Sequence, residues 1–274
     1  MIDGHQHFWT YDPGEFAWIS EAMRAIRRDF LPPELERAQA AFAFTGSISV
    51  QARQSLAETE WLLKLASENA RILGVVGWVD LCSDDLGAQL DRFTADAKFK
   101  GVRHVVQDEP DDRFMLRPDF LRGLGLLEVA GLSYDLLVFP RQIGAAIEVA
   151  RRFPNLRLVL DHLGKPSILT GELQPWALQI AELASCPNVF CKVSGMVTEA
   201  DWKGWKAADF DRYLDTVTRE FGPERLIFGS DWPVCTLAAS YTQVYETAAD
   251  FYRGFSHGER KAIFGLNAAR FYRC

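Results

Sequence analysis

Eight times along this chain a short apolar, β-branched run gives way to a stretch whose apolar residues recur at helical spacing. The runs cover residues 1–7, 46–51, 72–79, 99–106, 133–139, 156–163, 188–194 and 226–231. Several are almost continuously apolar, the pattern of strands in a parallel sheet covered on both faces. Five of the seven stretches between them show an apolar stripe: Leu86, Leu90, Phe93 and Ala97; Phe120, Leu124 and Leu127; Ile143, Ala146, Ile147 and Ala150; Trp176, Ile180 and Leu183; Leu214, Val217 and Phe221. Charged residues lie opposite, as on helices with one buried face. Eight such units of roughly 34 residues fit a (β/α)8 TIM barrel, typically about 250 residues long. We therefore expect an α/β fold with one barrel domain over residues 1–274. The rival is an open doubly wound sheet. Against it, no Gly-x-Gly-x-x-Gly follows any run, and no Walker-type phosphate loop occurs.

Composition narrows the partners. A net charge of −7 leaves no electrostatic footprint for nucleic acid. No apolar run approaches the roughly 18 residues of a membrane span. Met1-Ile2-Asp3-Gly4-His5 has neither the basic nor the apolar region of a signal peptide. Cys82, Cys186, Cys191, Cys235 and Cys274 form no Cys-x-x-Cys pair and read as free thiols. A cytoplasmic protein is expected, with a small-molecule partner.

Polar residues gather at the C-terminal ends of the runs, the rim on which barrel active sites are built. His5 and His7 end the first, Gln51 the second, Trp78 and Asp80 the third, Arg103 and His104 the fourth. His162 ends the sixth, Lys192 and Ser194 the seventh, and Asp231 the eighth. Strand residues i and i+2 face one way, so both imidazoles of His5-Gln6-His7 enter the mouth together and suit a divalent metal. A closed barrel sets the first and eighth strands side by side, which brings Asp231 to the same pair. Asp231 also fits a helix N-cap, and His162 a hydrogen-bonded structural residue. Arg103 and His104 face opposite sides, so at most one enters the mouth; an arginine there binds an oxyanion or forms a surface ion pair. Lys192 is directed at substrate or is a solvated strand-end lysine. Phe8, Trp9, Trp18, Trp78 and Trp232 offer ring faces to a sugar or simply pack.

These residues stand in longer motifs: Ile2-Asp3-Gly4-His5-Gln6-His7-Phe8-Trp9, Ser49-Val50-Gln51-Ala52-Arg53 and Gly101-Val102-Arg103-His104. They continue in Val159-Leu160-Asp161-His162-Leu163-Gly164-Lys165-Pro166, Cys191-Lys192-Val193-Ser194-Gly195 and Phe228-Gly229-Ser230-Asp231-Trp232-Pro233. With them the chain resembles, end to end, the amidohydrolase superfamily in its branch of sugar and dicarboxylate lactonases, nearest the L-fucono- and L-rhamnono-lactonases. The resemblance implies the same barrel. It carries the first-strand histidine pair onto His5 and His7, the sixth-strand histidine onto His162 and the eighth-strand aspartate onto Asp231. Two departures stand out. No histidine ends the fifth strand, and Arg103-His104 replace the bridging lysine or glutamate of the fourth. One divalent ion, zinc, is therefore expected at His5 and His7, with Asp231 or water completing the shell.

The expected reaction is hydrolysis of a sugar-acid lactone. Asp231 takes the proton of the attacking water. His162 and Arg103, or a bound cation, stabilise the oxyanion. Gln51, Trp78, His104, Lys192 and Trp232 hold the substrate. The alternatives are another hydrolase or a decarboxylase on the same scaffold, or a non-catalytic sugar-acid binder.

Overall fold

The computed structural model describes residues 1–274. Its sheet holds eight parallel strands in sequential order: β1 (Ile2–Gln6), β2 (Gly46–Val50), β3 (Ile72–Gly77), β4 (Phe99–His104), β5 (Ser133–Leu136), β6 (Arg157–Leu160), β7 (Val189–Val193) and β8 (Leu226–Phe228). Helices α1 (Pro32–Gln39), α2 (Leu56–Glu68), α3 (Leu86–Thr94), α4 (Pro118–Ala130), α5 (Ile143–Arg152), α6 (Trp176–Ala184), α7 (Ala208–Phe221) and α8 (Tyr241–Phe251) follow the successive strands. This is the (β/α)8 barrel; sequential strand order excludes the open doubly wound sheet, whose order reverses at a switch point. No helix is long and apolar enough to cross a membrane.

Each apolar stripe faces the sheet, with one exception. Leu86, Leu90 and Phe93 of α3 are buried, but the helix stops at Thr94 and Ala97 is exposed. The strands are also shorter than the apolar runs. Residues 137–139, 161–163 and 229–231 leave the ladder at its C-terminal end. His162, Leu163 and Asp231 adopt φ of 54°, 56° and 56°, left-handed conformations that no sheet accommodates. The chain thus breaks away from the barrel just where the site residues lie.

The barrel closes by a seam between β8 and β1 that is mostly outside the strands themselves. Asp231 N donates to His5 O at 2.9 Å, and His7 N donates to Trp232 O at 2.7 Å. The buried Asp3 carboxylate adds acceptors for Ser230 N at 2.9 Å and Tyr241 OH at 3.1 Å. Burial pushes the Asp3 carboxyl up to about 6, against the pull of these donors. Two further helices follow, α9 (His257–Lys261) and α10 (Asn267–Tyr272), and α10 plugs the N-terminal end of the barrel. From α10, Ala268, Phe271 and Tyr272 pack on Ile48, Val50, Val76, Val159 and Ile227. Only the C-terminal mouth stays open.

Close approach across the seam requires small residues. A Cβ on Gly229 would lie 2.6 Å from His5 Cβ and 3.1 Å from His5 N. We expect Gly229→Ala to lower stability by about 1–3 kcal/mol, the usual range for overpacking. Equilibrium denaturation measures it; a change within about 0.3 kcal/mol would mean the seam is slack.

Candidate active site

Four side chains from three strand ends converge at the mouth. His5 Nε2 lies 3.1 Å from His7 Nε2. Asp231 Oδ1 is 3.7 Å from His5 Nε2, 3.4 Å from His7 Nε2 and 3.9 Å from His162 Nε2. One ligand atom each from His5, His162 and Asp231 falls within a 4.8 Å group that can hold a metal ion. His162 thus joins the ligand group, beyond the oxyanion role expected from the sequence. Asp231 does not act as a helix cap: its backbone oxygen accepts from Cys235 N at 2.8 Å, and the turn that follows has no side-chain cap.

The imidazoles are oriented from behind. His7 Nδ1 donates to Val50 O at 2.8 Å, which leaves the Nε2 lone pair facing the cluster. His162 Nδ1 meets the Ser194 hydroxyl at 2.9 Å. Burial depresses the His162 pKa to about 4 and that of His5 well below its ordinary value, the latter helped by the Lys192 charge. Burial also acts to raise Asp231, but His162, His7 and His5 outweigh it and hold the carboxyl below the usual range. Neutral His5 and His162 beside an ionised Asp231 are the protonation states a divalent cation needs, so the residues present fit the expected ion.

Beneath the cluster lies a fully buried charge network. Lys192 Nζ stands 2.5 Å from Asp135 Oδ2, 2.8 Å from Asp161 Oδ1 and 2.9 Å from His5 Nδ1. His5, Asp135 and Asp161 would themselves form a second metal-holding trio. The Lys192 ammonium already fills it, which leaves room for one ion rather than two. Tyr272 OH donates to Asp135 Oδ2 at 2.8 Å. Arg103 donates to Asp161 Oδ2 at 3.0 Å and to Gln51 Oε1 at 3.0 Å. Of the Arg103-His104 pair, Arg103 faces inward, as strand alternation requires of one of them.

Above the cluster opens a cavity of about 770 Å³. His7, Gln51, Arg103, His162 and Asp231 line it, whereas Trp78, His104, Lys192 and Trp232 do not. Those four expected substrate contacts are held by neighbours elsewhere in the fold. Lys192 is fully buried, hydrogen-bonded to His5 and Asp135 and ion-paired with Asp161, so it is not a solvated strand-end lysine and it points into the barrel interior. His104 faces out of the barrel, stacked on Phe114, accepts from Trp78 Nε1 at 3.3 Å and donates to Glu109 at 2.7 Å. Both residues of that first bond therefore act behind the wall. Trp232 packs edge-on against Phe8 and Phe30. Phe8 and Trp9 are likewise packing residues, and only Trp18 among the noted aromatics reaches the cavity.

Of the further charged lining residues only Lys165 and Arg53 stood in the motifs of the sequence. Trp202, Lys165 and Glu199 come from loops, with Lys165 and Glu199 paired at 2.9 Å. Glu15 and Arg53 pair across the opposite rim. Asp135 and Lys192 did leave a trace: each is a lone charge inside an apolar run, and a charge buried there demands an opposite partner.

The comparisons follow this geometry. The sequence matches the amidohydrolase family over residues 2–274. The chain belongs to that family. It is 43% identical to an L-fucono-1,5-lactonase of Burkholderia multivorans, across 99% of this chain and 95% of the relative. An L-fucono-1,5-lactonase of Burkholderia ambifaria is 37% identical, with the same 99% and 95% covered. A crystal structure of a Burkholderia multivorans amidohydrolase with bound zinc superposes with a TM-score of 0.96 at 43% identity, covering 99% of this chain and 98% of that one.

The charge network makes a stability prediction. Lys192→Met leaves Asp135 and Asp161 buried without their cation, and we expect a loss of about 3–5 kcal/mol. Arg113→Ala, which breaks the exposed Arg113–Glu148 pair, should change stability by less than about 1 kcal/mol. Denaturant titration of both variants makes the comparison; equal effects would show that the network is not what holds the barrel interior.

Proposed function

We propose that this amidohydrolase is a sugar-acid lactonase, acting on L-fucono-1,5-lactone or a close analogue and releasing the open-chain acid. The observation that carries it is full-length similarity to two L-fucono-1,5-lactonases in a chain whose Asp231, His162 and Arg103 line one deep cavity. The whole chain is taken as one catalytic domain. Its five cysteines are free, which suits a reducing cytoplasm.

Asp231 is ionised and faces the cavity. It accepts the proton of a water molecule as that water attacks the lactone carbonyl. Arg103 lines the same cavity and supplies fixed positive potential to the oxygen on which charge develops, and His162 Nε2 donates to that oxygen only where it holds no ion. The carbonyl then reforms, the bond to the ring oxygen breaks, and Asp231 returns its proton to that oxygen. Gln51 holds Arg103 and offers its amide to a substrate hydroxyl. His5, His7, His162 and Asp231 would hold one zinc ion, which when bound supplies Lewis-acid polarisation. A lactone is an activated ester, so base and donors also suffice in principle.

Two measurements test this reading. A pH-indicator assay over a panel of sugar lactones should show acid release well above the spontaneous rate, and Asp231→Asn should lower kcat/KM by at least about 100-fold. A loss under about tenfold would remove Asp231 as the base. Saturable binding without acid release would favour the binding protein, and carbon dioxide from an unsaturated carboxylate the decarboxylase. Elemental analysis should find no more than about one zinc per chain, and His5→Ala with His7→Ala should abolish it. Two equivalents would overturn the single-ion site.

A further inference from the structure

The cavity wall has two chemically different sides. After β8, the short turn Val234–Leu237 begins three residues beyond Asp231 and is tied to it by Cys235 N, which donates to Asp231 O at 2.8 Å. In a 3₁₀ turn, residues i and i+3 eclipse, so Val234 and Leu237 share a face, and both line the cavity. Met23, from the turn Glu21–Ile26 that packs on this one, completes an apolar patch. The side facing it is mainly polar. Gln107 and Glu109 follow β4, which lies across the barrel from β8, Gln51, Arg53 and Gln54 follow β2 on the flank, and Ala52, Val105 and Leu137 are the apolar residues among them.

Lactone chemistry orients a substrate against these two sides. In a 1,5-lactone the leaving ring oxygen is bonded to C5, and C5 carries C6. The group that returns a proton to the ring oxygen must therefore lie beside C5 and its substituent. With Asp231 in that role, C6 falls against the turn that follows Asp231 in the chain. The hydroxyls on C2 to C4 then project toward the polar side. Resting on the lactonase reading above, we propose that Val234, Leu237 and Met23 form a subsite for a methyl group at C6, which selects 6-deoxy sugar lactones over their 6-hydroxy counterparts. A C6 hydroxyl placed there would lose its water and find no partner among three apolar side chains.

The test compares three lactones of one ring configuration that differ only at C5: L-fucono-1,5-lactone with a methyl, L-galactono-1,5-lactone with a hydroxymethyl, and D-arabinono-1,5-lactone with hydrogen. The wild-type kcat/KM should favour the methyl compound over the hydroxymethyl compound by about tenfold or more, and the methyl should improve on hydrogen. Leu237→Asn should shrink both ratios by about fivefold. Val234→Thr, which keeps the side-chain shape and adds only a hydroxyl, should move them the same way and serves if Leu237→Asn fails to fold. A wild-type methyl-to-hydroxymethyl ratio near 1, or ratios unchanged in Val234→Thr, overturns the subsite and leaves the lactonase standing. Hydrolysis of none of the three removes the lactonase reading and the subsite with it.

Discussion

The seam between β8 and β1 is the constraint on which the site depends. Two backbone hydrogen bonds, Asp231 N to His5 O and His7 N to Trp232 O, close the barrel. The same residues carry the side chains that meet at its mouth. Closure and site assembly are therefore one event: the peptide groups that finish the sheet fix the separation of His5, His7 and Asp231. Gly4 and Gly229 let the two strands come this near, since a Cβ on Gly4 would lie 2.3 Å from Ile227 Cγ2. Asp3 secures the seam from the other side by accepting from His5 N, Ser230 N and Tyr241 OH. Burying that carboxylate is unfavourable in itself, and the three donors are what make it tolerable.

Below the seam the barrel interior changes character in layers. The bottom is apolar, sealed by Phe271 and Tyr272. The next level holds Lys192, Asp135 and Asp161, an arrangement with two carboxylates around one ammonium and Arg103 reaching in from the side. Such a network adds little net stability compared with an apolar core, but each member becomes indispensable once the others are present. Its value lies in position. It supports His5 from beneath and occupies the one other group of side chains in the barrel that could gather a cation. Arg103 of β4 and Asp135 of β5 are both parts of this network.

The mouth is shaped by loops rather than strands. The long segment between β1 and α1 is pinned at its base where Trp9 and Phe30 exchange backbone hydrogen bonds of 3.0 and 2.9 Å. Trp9 then packs against Phe16, Trp18 and Phe30. This aromatic cluster turns a connection with little regular structure into a rigid wall that presents Glu15, Trp18 and Met23 to the cavity. Across the mouth, Trp205 Nε1 donates to Ala238 O at 2.9 Å and ties the loop after β7 to the turn after β8. The cavity is therefore bounded by tethered loops whose side chains differ in polarity from one side to the other.

Period and run length, both local properties, were enough to determine eight strands, the helices between them and the placement of His5, His7, His162 and Asp231 at one rim. The i, i+2 rule put two imidazoles together because a strand alternates faces whatever surrounds it. The sequence alone did not resolve Arg103 from His104, nor did it show that Lys192, Trp78, His104 and Trp232 lie outside the lining of the cavity. A strand-end polar residue can point into the mouth, into the barrel or outward, and those directions are separated only by which neighbours fill the space. Lys192 is buried because Asp135 and Asp161, 57 residues away and 31 residues away in the chain, supply its counter-charges. Trp202, Glu199 and Glu15 were invisible for a related reason, and Lys165 and Arg53 showed only as members of longer motifs. Loop residues carry no period, and their arrival at a common cavity is decided by tertiary contacts between segments that sequence spacing does not relate.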